Sequence, residues 1–144
     1  MLRAVCCLLL CSSITLLAGC GGDTPKDVPK GLIDVTGKVT YKGNGVPNAT
    51  ISFVPLMPDK QSSVGKTDSS GNYTLEMSPS AKGVLPGEYR VRIEAVDGVA
   101  GMGAKGEVIK PKSLIPEKYA KVDTSGIMVN VKPSEKKFDF ELKD

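Results

Sequence analysis

The stretch that decides the fold is residues 35–53, Val35-Thr-Gly-Lys-Val-Thr-Tyr-Lys-Gly-Asn-Gly-Val-Pro-Asn-Ala-Thr-Ile-Ser-Phe53. Its first seven residues alternate Val, Gly or Tyr with polar side chains, and Ala49, Ile51 and Phe53 alternate in the same way. A period of two places the apolar side chains on one face of an extended strand. Between the two segments, Lys42-Gly43-Asn44-Gly45 suits the positive φ angles of a tight hairpin. The stretch therefore predicts two half-buried β-strands.

The same alternation recurs downstream, and no window of helical period is long enough to compete with it. Each predicted strand has a single apolar face, which a second sheet must cover. The sequence therefore predicts an all-β, seven-stranded sandwich over residues 34–144. The seven strands are expected at residues 35–41, 49–53, 64–67, 73–77, 89–95, 127–131 and 138–142.

The aromatic residues of the chain all lie after residue 34, and six of the seven fall on predicted inward faces. This placement favours a role in the core over a platform on which sugars stack, although it leaves both possible.

The composition excludes several classes of function. At 144 residues the chain has the length of one small domain, and 19 Lys and Arg against 16 Asp and Glu give a formal net charge of +3. That balance is not typical of nucleic-acid binding, which needs a basic stripe. The chain has no His, so it lacks Ser-His-Asp and Cys-His catalysis and most zinc sites. We expect no enzyme activity, no metal and no cofactor.

Residues 1–20 carry one charge, Arg3, followed by an apolar run from Ala4 to Leu17. This run is shorter than the ~20 residues of a membrane-spanning helix and is typical of a secretory signal peptide. The next residues, Leu17-Ala18-Gly19-Cys20, resemble the bacterial lipobox. The resemblance implies cleavage of signal peptide 1–19, a diacylglycerol on the Cys20 sulfur and an acyl chain such as palmitate on its amino group. The alternatives are an ordinary signal peptide with a chance cysteine, or an uncleaved anchor.

Cleavage before Cys20 would remove the other three cysteines, so the mature chain would have no disulfide. Residues 20–33 lack periodicity and predict a flexible tether between lipid and domain. The residue after Cys20 is Gly21. In lipoprotein sorting of the enterobacterial kind an Asp there retains the protein in the inner membrane, so we expect a membrane-anchored cell-envelope lipoprotein, with the outer membrane favoured.

Three stretches together resemble carboxypeptidase-regulatory-like domains, which share the transthyretin-like (prealbumin-like) sandwich. They are the hairpin of residues 37–51, the turn Thr67-Asp-Ser-Ser-Gly-Asn-Tyr73, and Leu85-Pro-Gly-Glu-Tyr-Arg-Val91, which is one residue shorter than the family's pattern. Later segments are similar to small lipoproteins of this class from planctomycetes. The resemblance implies structural turn motifs at Gly37, Asp68, Gly71, Tyr73, Pro86, Gly87 and Tyr89.

The turn at residues 68–72 has two interpretations. Asp68, Ser70 and Asn72 have the oxygen spacing of a calcium loop, but the further acidic ligand is missing. The favoured interpretation is a hairpin turn in which Asp68 accepts backbone N–H bonds, Gly71 supplies a positive φ and Tyr73 enters the core.

Residues 97–125 show no clear strand alternation, and loops this long are commonly functional or disordered. Within them, Ile115-Pro-Glu-Lys-Tyr119 predicts a helical turn that packs Tyr119 on the sandwich. A binding role and a passive crossover both remain possible for this segment.

We therefore expect a non-catalytic, lipid-anchored binding or structural module of the cell envelope. It would bind a protein or a polysaccharide, and no nucleic acid, in addition to the membrane. The alternative is a minor hydrolase with a site in the 97–125 loop. Strand 127–131 is a candidate free edge, which would favour a protein partner that adds a strand to the sheet.

Overall fold

The computed structural model describes residues 28–102 and 107–144. These residues form an all-β structure with one short 3-10 helix, as the sequence predicts. Among them no helix has the length and apolar character needed to cross a membrane.

The described elements follow one another in this order along the chain. They are β1 Thr36–Tyr41, β2 Asn44–Gly45, β3 Thr50–Pro55, β4 Ser63–Lys66, β5 Asn72–Thr74, β6 Glu76–Ser78, β7 Ala81–Lys82, β8 Gly87–Glu94, β9 Val96–Asp97, β10 Gly101–Met102, β11 Val108–Ile109, β12 Lys112–Ser113, the 3-10 helix Glu117–Ala120, β13 Ile127–Val131 and β14 Phe140–Leu142.

The larger sheet has six strands in the order β13-β8-β3-β4-β6-β7, all antiparallel. Its central strands are β3 and β4, and β8 pairs with β3 on one side and with the edge strand β13 on the other. Strand β13 therefore ends this sheet, and the expectation that strand 127–131 is an edge is confirmed.

The smaller sheet is built on β1. Strand β1 pairs antiparallel with β2 and β5. It also pairs parallel with β14, which is an edge strand of this sheet. The β1–β2 turn is the predicted tight hairpin, with φ of 52° at Lys42 and 80° at Gly43. These two positive φ values are those of a type I′ turn, whose twist matches the strands.

The core lies between the two sheets. Phe53 on β3 of the larger sheet is fully buried. Its ring centroid lies 6.0 Å from that of Phe138 and 6.2 Å from that of Phe140, on the segment that forms the edge of the smaller sheet. The alternation of the sequence is thus explained, since each sheet turns its apolar face toward the other.

Each of the seven predicted strands overlaps a strand of the structure, but the expected number of strands is wrong. The predicted strand 73–77 is divided into β5 and β6, because the chain passes from one sheet to the other at Leu75. The Leu75 N–H donates to the Val35 carbonyl in the smaller sheet, and the Leu75 carbonyl accepts from Gly83. The short strands β2, β7 and β9–β12 were not predicted.

Residues 97–125 differ most from expectation. Strand β9 pairs with β12 and β10 pairs with β11, so residues 96–102 and 107–113 form the two antiparallel sides of a hairpin, which we call the arm. Pairs of two-residue strands are too short for a period of two to be visible in the sequence. The expected helical turn is present as the 3-10 helix, and its Tyr119 is buried as predicted.

Ile33 and the start of the arm lie near opposite ends of β8. Ile33, within the predicted tether, is buried and bridges Val84, three residues before β8 begins. The arm begins at Val96, just after β8 ends. Eight residues of strand separate these ends by ~26 Å.

Candidate functional site

The motif residues of the 68–72 turn form a local hydrogen-bond network. One carboxylate oxygen of Asp68 accepts the N–H of Ser70 at 2.8 Å and that of Asn72 at 2.9 Å, and the other accepts the Asn72 side-chain amide at 3.0 Å. Gly71 has φ of 86°. The predicted hairpin turn is therefore present, and hydrogen bonds from Asn72 hold the pKa of Asp68 below its usual range.

The charge of Asp68 is expected to stabilise the fold in a pH-dependent way. Its pKa is lower in the folded chain than in the unfolded one, so its contribution is complete above the unfolded pKa of about 3.9 and is lost as the pH falls through the folded pKa. We expect Asp68→Asn to lower the unfolding temperature at pH 7 and to leave it less sensitive to pH between about 5 and 2. Thermal unfolding of both proteins across that range measures this, and parallel curves would contradict it.

Gly37 and Tyr73 fix the contact between β1 and the chain that leads into β14. A Cβ built on Gly37 would lie 1.8 Å from the Phe138 carbonyl oxygen. The Tyr73 hydroxyl donates to that same oxygen at 2.6 Å, and burial raises the pKa of Tyr73. These two motif residues therefore have a structural role, because they allow the backbone of β1 to lie directly against the backbone at Phe138.

Pro86, Gly87 and Tyr89 form the entry to β8. Tyr89 is fully buried, and its hydroxyl donates to the Leu85 carbonyl at 2.8 Å. Gly87 has φ of 148°, and the Pro86 carbonyl accepts from the Lys60 ammonium at 2.7 Å. Each of the seven turn-motif residues thus has a contact or a backbone conformation that supports the fold.

The lipobox residues Leu17, Ala18, Gly19 and Cys20 lie outside the described residues, so their predicted roles stay predictions.

Three of the four carboxylates in the described parts of 97–125 lie in different surroundings. Asp97 lies opposite Lys112 in the arm, Glu117 lies on the 3-10 helix, and Asp123 pairs with Arg90 at 3.1 Å. Over residues 28–102 and 107–144, no three His, Cys, Asp or Glu side chains are grouped as metal ligands would be. No observation favours the hydrolase alternative.

The aromatic rings of the described chain are buried or half-buried, including Tyr41 and Phe138. Stacking of a sugar needs an exposed ring face. The predicted core role is therefore the one that five of the seven rings have, and Tyr41 and Phe138 pack against the core with part of their surface exposed.

Strand β13 forms one of the two edges of the larger sheet, and part of its backbone faces outward. The N–H of Leu56, just after β3, donates to the Glu88 carbonyl, so Glu88 turns its backbone groups toward β3. Successive residues of a strand direct their backbone groups to opposite sides, so the N–H and carbonyl of Tyr89 point toward β13, where Tyr89 is paired with Val129. The backbone groups of Met128 and Asn130 therefore face outward, away from β8.

A groove lies between this edge and the segment that leads into β14. Its volume is about 430 Å³, and it is lined by Met128, Val129, Asn130, Lys132, Glu135, Lys137, Phe138, Asp139 and Phe140. Ile127 and Val129 carry inward-facing side chains, yet they are only half-buried, as is Phe138. A gap between the two sheet edges thus leaves part of the apolar core uncovered.

The arm is the second exposed apolar surface. Val99, Met102 and Val108 are 83%, 78% and 70% exposed, and Met102 and Val108 are directly opposite each other in the hairpin. A hairpin of two strands is only marginally stable by itself in water. The second side of the arm in chain order contains Lys110, Pro111 and Lys112, and lysine and proline at a sheet edge discourage the addition of another strand.

Sequence reasoning missed the groove and the arm. The groove depends on which strands end each sheet, and the alternation pattern says nothing of strand order. The arm had a weak signal in the β-branched pair Val108-Ile109 and in Gly98 and Gly101, but it was masked by the irregular composition of the segment.

Comparison with known proteins gives little further information. No family model matches the chain, and no curated protein matches it. Among solved structures, a crystal structure of a 9R-lipoxygenase from Cyanothece PCC8801 is similar, with a TM-score of 0.34 and 10% sequence identity over 82% of this chain and 18% of that chain. The chain thus spans less than a fifth of that lipoxygenase, and a similarity this weak supports no statement on fold family or function.

Proposed function

We propose that this protein is a non-catalytic module of the bacterial cell envelope, anchored to a membrane by lipid on Cys20, that binds another protein. The observation that carries the proposal is the sequence Leu17-Ala18-Gly19-Cys20, placed directly after a short apolar run. Acyl chains contribute ~0.8 kcal/mol for each buried CH₂, so the two or three chains of a bacterial lipoprotein anchor it durably.

The structural support is the distribution of polar and apolar groups over the surface. The described motif residues have structural roles, and five of the seven rings are buried, with only Tyr41 and Phe138 half-buried, which favours protein over polysaccharide as the partner. An uncharged sheet edge beside a partly uncovered core is a surface that proteins use to bind extended chains.

The finer fold assignment belongs to the same proposal. A transthyretin-like sandwich of the carboxypeptidase-regulatory-like kind accounts for the motifs at residues 37–51, 67–73 and 85–91. It is also compatible with two facing sheets in which β8 and β1 each pair with strands on both sides. The outer membrane is the favoured location, because Gly21 replaces the retention signal Asp.

The anchoring is tested by metabolic labelling with radioactive palmitate in bacteria that make the full-length protein. We expect the wild type to be labelled and to sediment with membranes, and we expect Cys20→Ala to be unlabelled and to keep its signal peptide or appear in the soluble fraction. Cys11→Ala is the matched control, because it makes the same substitution in the segment that cleavage removes. Label retained by Cys20→Ala, or absent from the wild type, would contradict the proposal.

A further inference from the structure

We propose that the free edge of β13, Ile127–Val131, binds an extended, uncharged peptide segment of a partner protein as an added strand that also covers the groove beside β14. The inference rests on the proposed function, since it names the kind of partner that the module holds and the site that holds it.

The outer edge of β13 has backbone groups that can form hydrogen bonds with an added strand. Met128 and Asn130 each turn an N–H and a carbonyl toward the free edge. In the described chain no backbone hydrogen bond reaches these groups from the side of β14. A strand lying beside β13 would therefore gain up to four main-chain hydrogen bonds at two residues, which is the source of affinity in strand addition.

Half-buried apolar side chains lie on both sides of the groove. Ile127 and Val129 point into the core but are half-buried, and Phe138 across the groove is half-buried as well. An added strand would place every second side chain over these three residues. The matching peptide therefore has apolar residues at alternate positions.

The charges of β13 and of the groove indicate what kind of peptide can bind there. The five residues of β13, Ile-Met-Val-Asn-Val, carry no charge, so the edge lacks the lysines and prolines that protect other edges from pairing. On the other side of the groove, Lys137 and Asp139 form an ion pair at 3.1 Å, and the two further charged residues of the lining, Lys132 and Glu135, are of opposite sign, so the groove has no net charge. An uncharged peptide fits this surface, whereas a charged side chain at its centre would be desolvated without a partner.

The occupant is a partner and not this chain itself. Residues 20–27, which would begin the mature protein, contain Pro25 and three charged residues, and they have no alternating apolar pattern. A second copy is also a poor fit, because stable interfaces use about 20–30 residues on each side and this edge supplies five.

The test uses the full-length protein in a mild detergent and a phage-displayed library of linear 12-residue peptides as the probe. We expect the enriched peptides to share alternating apolar residues without charge between them. Asn130→Pro removes one outward N–H and leaves the ladder with β8 intact, so it should weaken binding of an enriched peptide about tenfold. Asn130→Ala is the matched control, because it keeps the N–H, and it should bind like the wild type.

Equal binding by Asn130→Pro and the wild type would overturn the inference, as would a selection that yields no peptide of this pattern. If the proline variant does not fold, amide hydrogen exchange of the wild type decides instead. Slower exchange at Met128 and Asn130 with the peptide bound supports the inference, and unchanged exchange overturns it. Peptide binding by a protein that carries no lipid would refute the anchoring alone, so the two proposals fail separately.

Discussion

Gly37→Ala is expected to destabilise the full-length protein by about 3 kcal/mol and to lower its unfolding temperature by roughly 10–15 °C. The added methyl group would lie 1.8 Å from the Phe138 carbonyl oxygen and 2.8 Å from the Tyr73 hydroxyl. Because the nearest atom belongs to the backbone, no rotation of a side chain relieves the overlap. The two chain segments must move apart, which also breaks the hydrogen bond between Tyr73 and Phe138.

Gly101→Ala is the matched control for this variant. Gly101 has no atom within 4 Å of the position that its Cβ would take, and its φ is not in the left-handed region. Thermal unfolding followed by circular dichroism should therefore give a wild-type transition for Gly101→Ala and an early one for Gly37→Ala. Equal transitions would contradict the close backbone contact between β1 and the segment before β14.

Phe53→Ala is expected to have the larger effect of the two, with a loss of about 3–5 kcal/mol in the free energy of unfolding. Phe53 is fully buried on β3 and is the only ring of the described core that contacts Tyr89, Phe138 and Phe140 together, with centroids 6.0–6.2 Å apart. Its removal leaves a cavity between the two sheets and loses the edge-on ring contacts.

Phe53→Leu separates these contributions, because it keeps most of the apolar volume and loses the ring. Urea unfolding of the three proteins should place Phe53→Leu between the wild type and Phe53→Ala. An alanine variant within about 1 kcal/mol of the wild type would mean that the two sheets do not pack through this residue.

Local chemistry was predictable where short-range geometry determines it. The hairpin at Lys42-Gly43, the Asp68 turn and the burial of Tyr73, Tyr89 and Tyr119 all follow from the conformational preferences of glycine, the reach of an Asp side chain and the alternation of apolar residues. The crossing of the chain between sheets at Leu75 was not predictable, because an uninterrupted alternation over residues 73–77 is equally compatible with one strand.

Only part of the candidate site could be predicted, because the alternation of apolar and polar residues does not determine the order of the strands. The sequence identified 127–131 as an uncharged strand, which is half of the site. The other half, the groove beside Phe138, exists because β13 and β14 each end their own sheet on the same side of the domain. Strand order depends on pairing between residues far apart in sequence, and no local pattern encodes it.

The parallel pairing of β1 with β14 has a mechanical consequence. Val39, Thr40 and Tyr41 are paired with Phe140, Glu141 and Leu142 in the same direction, near the two ends of the folded chain. A pulling force applied to these two ends would slide the strands lengthwise past each other. All the hydrogen bonds of the ladder would then bear the load at once, whereas peeling would break them one at a time. This arrangement therefore resists unfolding when tension acts between the start of β1 and the end of β14.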